Sequence, residues 1–90
     1  MENKESLIKD AVNSLDDLMV FSRFIHSSED LYDDERYQKI WFELEIINSV
    51  ALAEWEDQGR PSDWTKEWSI KFKEEATEVM ASLINRIKEC

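Results

Sequence analysis

Three groups of side chains in this 90-residue chain have types and spacings that chemistry can use. The first is carboxylates at helical spacing. Glu54 and Asp57 stand three apart, as do Glu75 and Glu78, with Glu74 beside them. On a helix, an i, i+3 pair projects from one face, so each pair has the reach to hold one divalent cation. The second is His26, the sole histidine, which follows Phe24-Ile25. A general base needs a partner and an orienting group, and the sequence identifies neither. A position near a helix C-terminus suits a cap on the helix end instead. The third is Cys90, the last residue and the only cysteine. A lone thiol forms no intrachain disulfide, and at a chain end it reads as incidental rather than nucleophilic.

The carboxylate pairs resemble those of the MazG-type all-helical nucleotide pyrophosphatases, which hold magnesium with a Glu-Glu-x-x-Glu motif followed by Glu-x-x-Asp. Here Glu74-Glu75-Ala76-Thr77-Glu78 is similar to the first and Glu54-Trp55-Glu56-Asp57 to the second, in reversed order. That resemblance implies magnesium-dependent release of pyrophosphate from a nucleotide. Chance matches are expected among 21 acidic residues, and Lys71 and Lys73 lie one turn from the Glu74-Glu75-Glu78 cluster, where surface ion pairing accounts for it. The expectation is a protein that is not an enzyme and carries no metal or cofactor.

The acid surplus is more informative than any motif. Twenty-one acidic residues against eleven basic ones give a formal net charge of −10. Ten of the carboxylates fall between Glu29 and Asp57 with only Arg36 and Lys39 for balance, so that stretch carries −8. Concentrating like charge costs compact-state stability. It also repels phosphate backbones and anionic lipid, so neither direct nucleic-acid binding nor membrane binding is expected. The favoured partner is a strongly basic protein, because complementary fields accelerate encounter. Disorder is not expected, since 42% of the chain is hydrophobic and 11% aromatic. No apolar run is long enough to cross a bilayer. The opening Met-Glu-Asn-Lys-Glu-Ser is polar and acidic, unlike a signal or transit peptide, which makes the cytoplasm the expected address.

Aromatic anchors interleave with the acids. Leu31-Tyr32-Asp33-Asp34-Glu35-Arg36-Tyr37 places two tyrosines and three acids at a loop-to-helix junction. Desolvated Tyr and Trp supply residence time at interfaces. The candidate binding residues are therefore Asp30, Tyr32, Asp33, Asp34, Glu35 and Tyr37 at the junction. Glu43, Glu54, Trp55, Glu56, Asp57 and Asp63 follow further along. Of the four tryptophans, Trp41 reads as core. Trp55, Trp64 and Trp68 bracket Gly59-Pro61 and are expected to plug one end of the fold, with some left partly exposed.

Helices must position these groups. Gly59 and Pro61, the only Gly and the only Pro, mark a helix C-terminus and a short loop, with Ser62 and Asp63 as the N-cap region of the next helix. Steps of three and four run through Leu7, Ile8, Ala11, Val12, Leu15, Leu18, Met19 and Ile25 in a first segment, roughly 3–27. Asn13-Ser14 is expected to kink or split it, Ser14 and Asp17 resembling a weak capping box. A second segment, about 34–58, places Tyr37, Ile40, Trp41, Leu44, Ile47, Ala51, Leu52 and Trp55 on one face. Phe42, Ile46, Val50 and Ala53 give it a further apolar side, which reads as a central helix flanked by two others. A third, about 63–89, carries Trp64, Trp68, Phe72, Ala76, Val79, Met80, Leu83 and Ile87 on one stripe. Period-two alternation is absent. The expected fold is all-α: one domain over 1–90, an antiparallel three-helix bundle, or four helices if the first splits at Asn13-Ser14.

In size, charge and helical pattern the whole chain resembles the small acidic helical immunity proteins of bacterial toxin systems, of the nuclease-colicin and contact-dependent growth-inhibition type. The stretches Asp33-Asp34-Glu35-Arg36-Tyr37-Gln38-Lys39-Ile40-Trp41-Phe42-Glu43-Leu44-Glu45 and Ala53-Glu54-Trp55-Glu56-Asp57-Gln58-Gly59-Arg60-Pro61 carry the likeness. Tyr32 and Tyr37 are not adjacent, unlike the paired tyrosines of DNase-colicin immunity proteins, so no binding residue is transferred from that family. The resemblance implies neutralisation of a basic toxin domain, a nuclease in class, by an acidic, aromatic-containing surface. A DNA-mimic inhibitor of a DNA-binding protein is the alternative expectation.

Overall fold

A computed structural model describes residues 4–89, and Cys90 lies outside them. Five α-helices and one short 3-10 turn make up the described residues, and no strand occurs among them. They are α1 (Lys4–Asn13), α2 (Leu18–Ser28), α3 (Glu35–Asp57), α4 (Thr65–Lys71) and α5 (Lys73–Glu89), with the 3-10 turn Ser14–Asp16 between α1 and α2. The all-helical expectation holds.

The first segment divides where Asn13-Ser14 predicted, by a different device. The Ser14 hydroxyl donates back to the Ala11 carbonyl at 2.6 Å, and Asp17 starts α2 with extended backbone and no side-chain cap. The capping box expected from Ser14 and Asp17 does not form. The turn exposes the Leu15 carbonyl to the Trp68 indole, whose Nε1 donates to it at 2.9 Å across 53 residues of sequence. The third segment divides too, at Phe72, where no Gly or Pro forewarns of it. Phe72 departs from helical backbone, yet its N–H still bonds the Trp68 carbonyl and its own carbonyl accepts from Ala76. Its ring stacks on Trp68 at 6.1 Å and tilts over Trp64 at 6.0 Å.

Gly59 ends α3 as the sequence indicated. Its φ is +86°, and Arg60 follows at +55°. The Gly59 N–H bonds the Glu56 carbonyl and the Arg60 N–H the Trp55 carbonyl, the reciprocal pair of a Schellman cap. A Cβ at Gly59 would meet nothing within 4 Å, so the demand for glycine is one of backbone angle alone.

The core runs through all the helices. Leu18, Phe21 and Ile25 of α2, Tyr37, Leu44 and Ala51 of α3, Trp68 of α4, and Ala76, Met80, Leu83 and Ile87 of α5 are fully or almost fully buried. α3 packs on α2 and α5, and α1 on α5. Side-chain bonds fix the directions. Asp34 before α3 meets Arg86 near the end of α5, while Glu54 near the end of α3 meets Lys71 of α4. The described residues form an elongated body of 39 × 22 × 21 Å.

Candidate functional site

The candidate residues fall into two groups at opposite ends of α3, whose 23 residues span about 34 Å. At the first end, the junction between α2 and α3 is locked from within. Trp41 Nε1 donates to the Ile25 carbonyl at 3.0 Å and to Ser28 Oγ at 3.2 Å. The Tyr37 hydroxyl donates to the Ser28 carbonyl at 2.5 Å, and the Gln38 amide to the carbonyls of Glu29 and Tyr32. Side chains of α3 thus satisfy the open carbonyls at the end of α2 and of the loop that follows.

That network reassigns two candidates. Tyr37 is 0% exposed and Tyr32 packs edge-on against its ring at 5.1 Å. Tyr37 therefore belongs to the core and is not a surface anchor, while half-buried Tyr32 keeps an outward edge. Asp34 is structural as well. One oxygen accepts the Tyr37 N–H at 3.1 Å, capping α3, and the two together take a fork from the Arg86 guanidinium, at 2.5 and 3.0 Å. The Arg86 bond, with the backbone bonds adding to it, holds the Asp34 carboxyl below the ordinary carboxylate range against the opposing effect of desolvation. Asp30, Asp33 and Glu35 remain exposed and have no ion-pair partner among the described residues.

At the second end, Trp55 is half-buried and its Nε1 donates to the Pro61 carbonyl at 2.9 Å, tying the loop to α3. Trp64 is buried and donates to the Gln58 side chain at 2.7 Å. All four tryptophans thus have their indole N–H satisfied internally. The plug reading fits Trp64 and Trp68, and Trp55 alone of that cluster keeps an outward edge. Glu54 pairs with Lys71, and that bond raises the Lys71 ammonium above the ordinary lysine value. Glu56 sits 3.6 Å from Arg60. Asp57 and Asp63 are exposed, the latter accepting the Thr65 N–H at 3.3 Å.

Glu43 lies between the groups, exposed at the middle of α3. Beside it stands a feature that the sequence reading gave to the interior. Phe42, Ile46 and Val50 are 59%, 50% and 53% exposed, and Ala53 is exposed too. The second apolar side of α3 is not covered by any described helix, so α3 is flanked on its inner face alone. The signal was present as the i, i+4, i+8 spacing of Phe42, Ile46 and Val50. Periodicity reports that a face is apolar and does not report what covers it.

The carboxylate constellations separate. Lys71 turns to Glu54 and Glu67, and Lys73 to Asp16, rather than to Glu74, Glu75 and Glu78. Those three glutamates line an open depression with Ile70, Lys71 and Val79. Among the described residues, no three His, Cys, Asp or Glu side chains converge in a way that would hold a metal ion. No described helix is long and apolar enough to cross a membrane. Comparison with family models, curated proteins and solved structures gave no match for this chain.

Proposed function

We propose that the chain is an immunity-type protein that binds and neutralises a basic toxin domain, a nuclease in class, through the acidic outer surface of α3 and its flanking junctions. The frame is read as an antiparallel bundle of three rods: α1 with α2, α3, and α4 with α5. One observation supports this most. Six of the ten carboxylates of the acid-rich stretch lie on the single long helix α3, with only Arg36 and Lys39 as bases there, and Glu35, Glu43, Glu56 and Asp57 are exposed on its outer side; the other four stand in the junction before it. A rigid row of carboxylates suits a cleft built for phosphate, because it offers anionic oxygens without the cost of ordering a flexible chain.

The test is titration of the full chain against the toxin domain encoded beside it, at about 0.05 M and about 0.5 M salt, across which the Debye length falls severalfold. Submicromolar binding that weakens with salt supports the proposal, and no binding at low salt overturns it. Displacement by duplex DNA from several unrelated basic proteins would mark the chain as a broad DNA mimic instead.

A further inference from the structure

The outward face of α3 has an order of its own. At 100° per residue, Phe42, Ile46, Val50 and Ala53 lie within an arc of about 80° and form a ridge about 16 Å long. Glu43 and Glu54 fall on one flank of that ridge, Glu45 and Glu56 on the other, and Asp57 lies beyond its end. Glu45 is held by the Ser49 hydroxyl at 3.0 Å. Glu54 is held by Lys71. Each flank has one carboxylate already paired with a base of the chain, Glu54 with Lys71 and Glu56 with Arg60. The other on each flank, Glu43 or Glu45, has no such ion pair among the described residues and is the one left to meet a partner's cation. Four other large apolar side chains are exposed, Val12, Met19, Leu31 and Ile70, but they stand on separate elements, whereas Phe42, Ile46 and Val50 repeat every four residues along one helix face and so form a contiguous apolar strip.

We infer that this ridge, and not the Asp30–Glu35 junction, is the principal docking surface, and that its occupant is a basic protein with an apolar groove rimmed by Lys or Arg. The inference rests on the proposed partner class and specifies how that partner is held. Charge decides the occupant. A second copy related by a twofold axis would bring carboxylate flank against carboxylate flank, at −10 per chain, which disfavours self-association. A basic-rimmed groove places a cation against each flank while the ridge is desolvated between them. The flanks then set the rate of encounter and the register, and Phe42 with Ile46 and Val50 sets residence time.

Two probes test it. The first is the adjacent toxin domain, titrated with the variants Ile46→Ser/Val50→Ser and Asp33→Asn/Glu35→Gln. Both pairs lie on the exposed surface, and circular dichroism checks that each variant is folded. The ridge pair is expected to weaken binding roughly 30-fold and the junction pair less than about fivefold. The reverse order overturns the inference and leaves the proposed function standing. The second probe is a synthetic Leu/Lys amphipathic helix, mapped by amide chemical shifts on the full chain. Shifts centred on residues 42–53 that vanish in the ridge variant support the inference even if the toxin domain does not bind. Shifts centred on residues 29–35, or no binding at low salt, overturn it. A dimer in sedimentation that Ile46→Asp dissociates would overturn the choice of occupant.

Discussion

Asn48 is the residue that least fits its surroundings. It is 1% exposed, on the inner side of α3, and its Oδ1 has no hydrogen-bond partner among the described residues. A buried acceptor left unmet costs about 1–3 kcal/mol. Asn48→Ala removes that acceptor and improves helix propensity while opening a small space. These effects offset, and unfolding free energy should stay within about 1 kcal/mol of the parent. Asn48→Asp keeps the shape and adds a buried charge, so it should cost about 3 kcal/mol or more at neutral pH. Burial raises that carboxyl's folded pKa, so the deficit should shrink as the pH falls and the group is neutralised. Urea titrations of the two variants at pH 7 and pH 4 check this. A tolerated Asp with a costly Ala would show that Oδ1 is bonded in solution. Tyr37 teaches the complementary lesson. Its neighbours in sequence are surface acids, yet its hydroxyl is needed at the end of α2.

At the scale of elements, the Asp34–Arg86 pair clamps the start of α3 to the end of α5 while Asp34 also caps α3. Asp34→Asn keeps a cap acceptor and loses the charge, whereas Asp34→Ala loses both. Denaturant midpoints should therefore fall in the order parent, Asn, Ala. Arg86→Met keeps the cap and removes the clamp together with the exposed Arg86–Glu89 pair, so it should be non-additive with Asp34→Asn. The pH dependence follows from the depressed Asp34 pKa. The folded state binds this proton less readily than the unfolded chain, so the clamp's contribution is fully present above the unfolded carboxylate value. It is lost as the pH falls through the lower, folded value. The gap in midpoint between parent and Arg86→Met should accordingly be constant near neutrality and close in acid. A gap unchanged in acid would mean that Arg86 acts through packing.

The whole molecule carries its charge at a cost. A net −10 on a body of 39 × 22 × 21 Å repels itself, and α3 concentrates part of that repulsion. Raising salt from about 0.01 M to about 0.15 M shortens the Debye length from about 30 Å to about 8 Å. The thermal midpoint should therefore rise with added sodium chloride and then level off. A midpoint that falls over this range would mean that the six ion pairs identified among the described residues outweigh the repulsion. The same salt should weaken binding of a basic partner, so stability and affinity are expected to move in opposite directions.

The helical class, the break at Asn13-Ser14, the Gly59 cap and most of the core positions could be read from the residues alone, because they depend on local backbone preference and on apolar spacing within one helix. The rest depended on contacts between elements. Phe72 interrupts the last segment where its ring packs on its near neighbours Trp64 and Trp68, and Trp68 is itself fixed from a distant part of the chain by the Phe21 ring and the Leu15 carbonyl. Tyr37 and Asp34 pass from surface candidates to structural groups because their partners, Ser28 and Arg86, lie 9 and 52 residues away. The Phe42–Ile46–Val50 ridge faces solvent because the other helices pack on the inner side of α3. Spacing fixes which residues share a face, whereas exposure is fixed by what packs against it, and that is a property of contacts between elements.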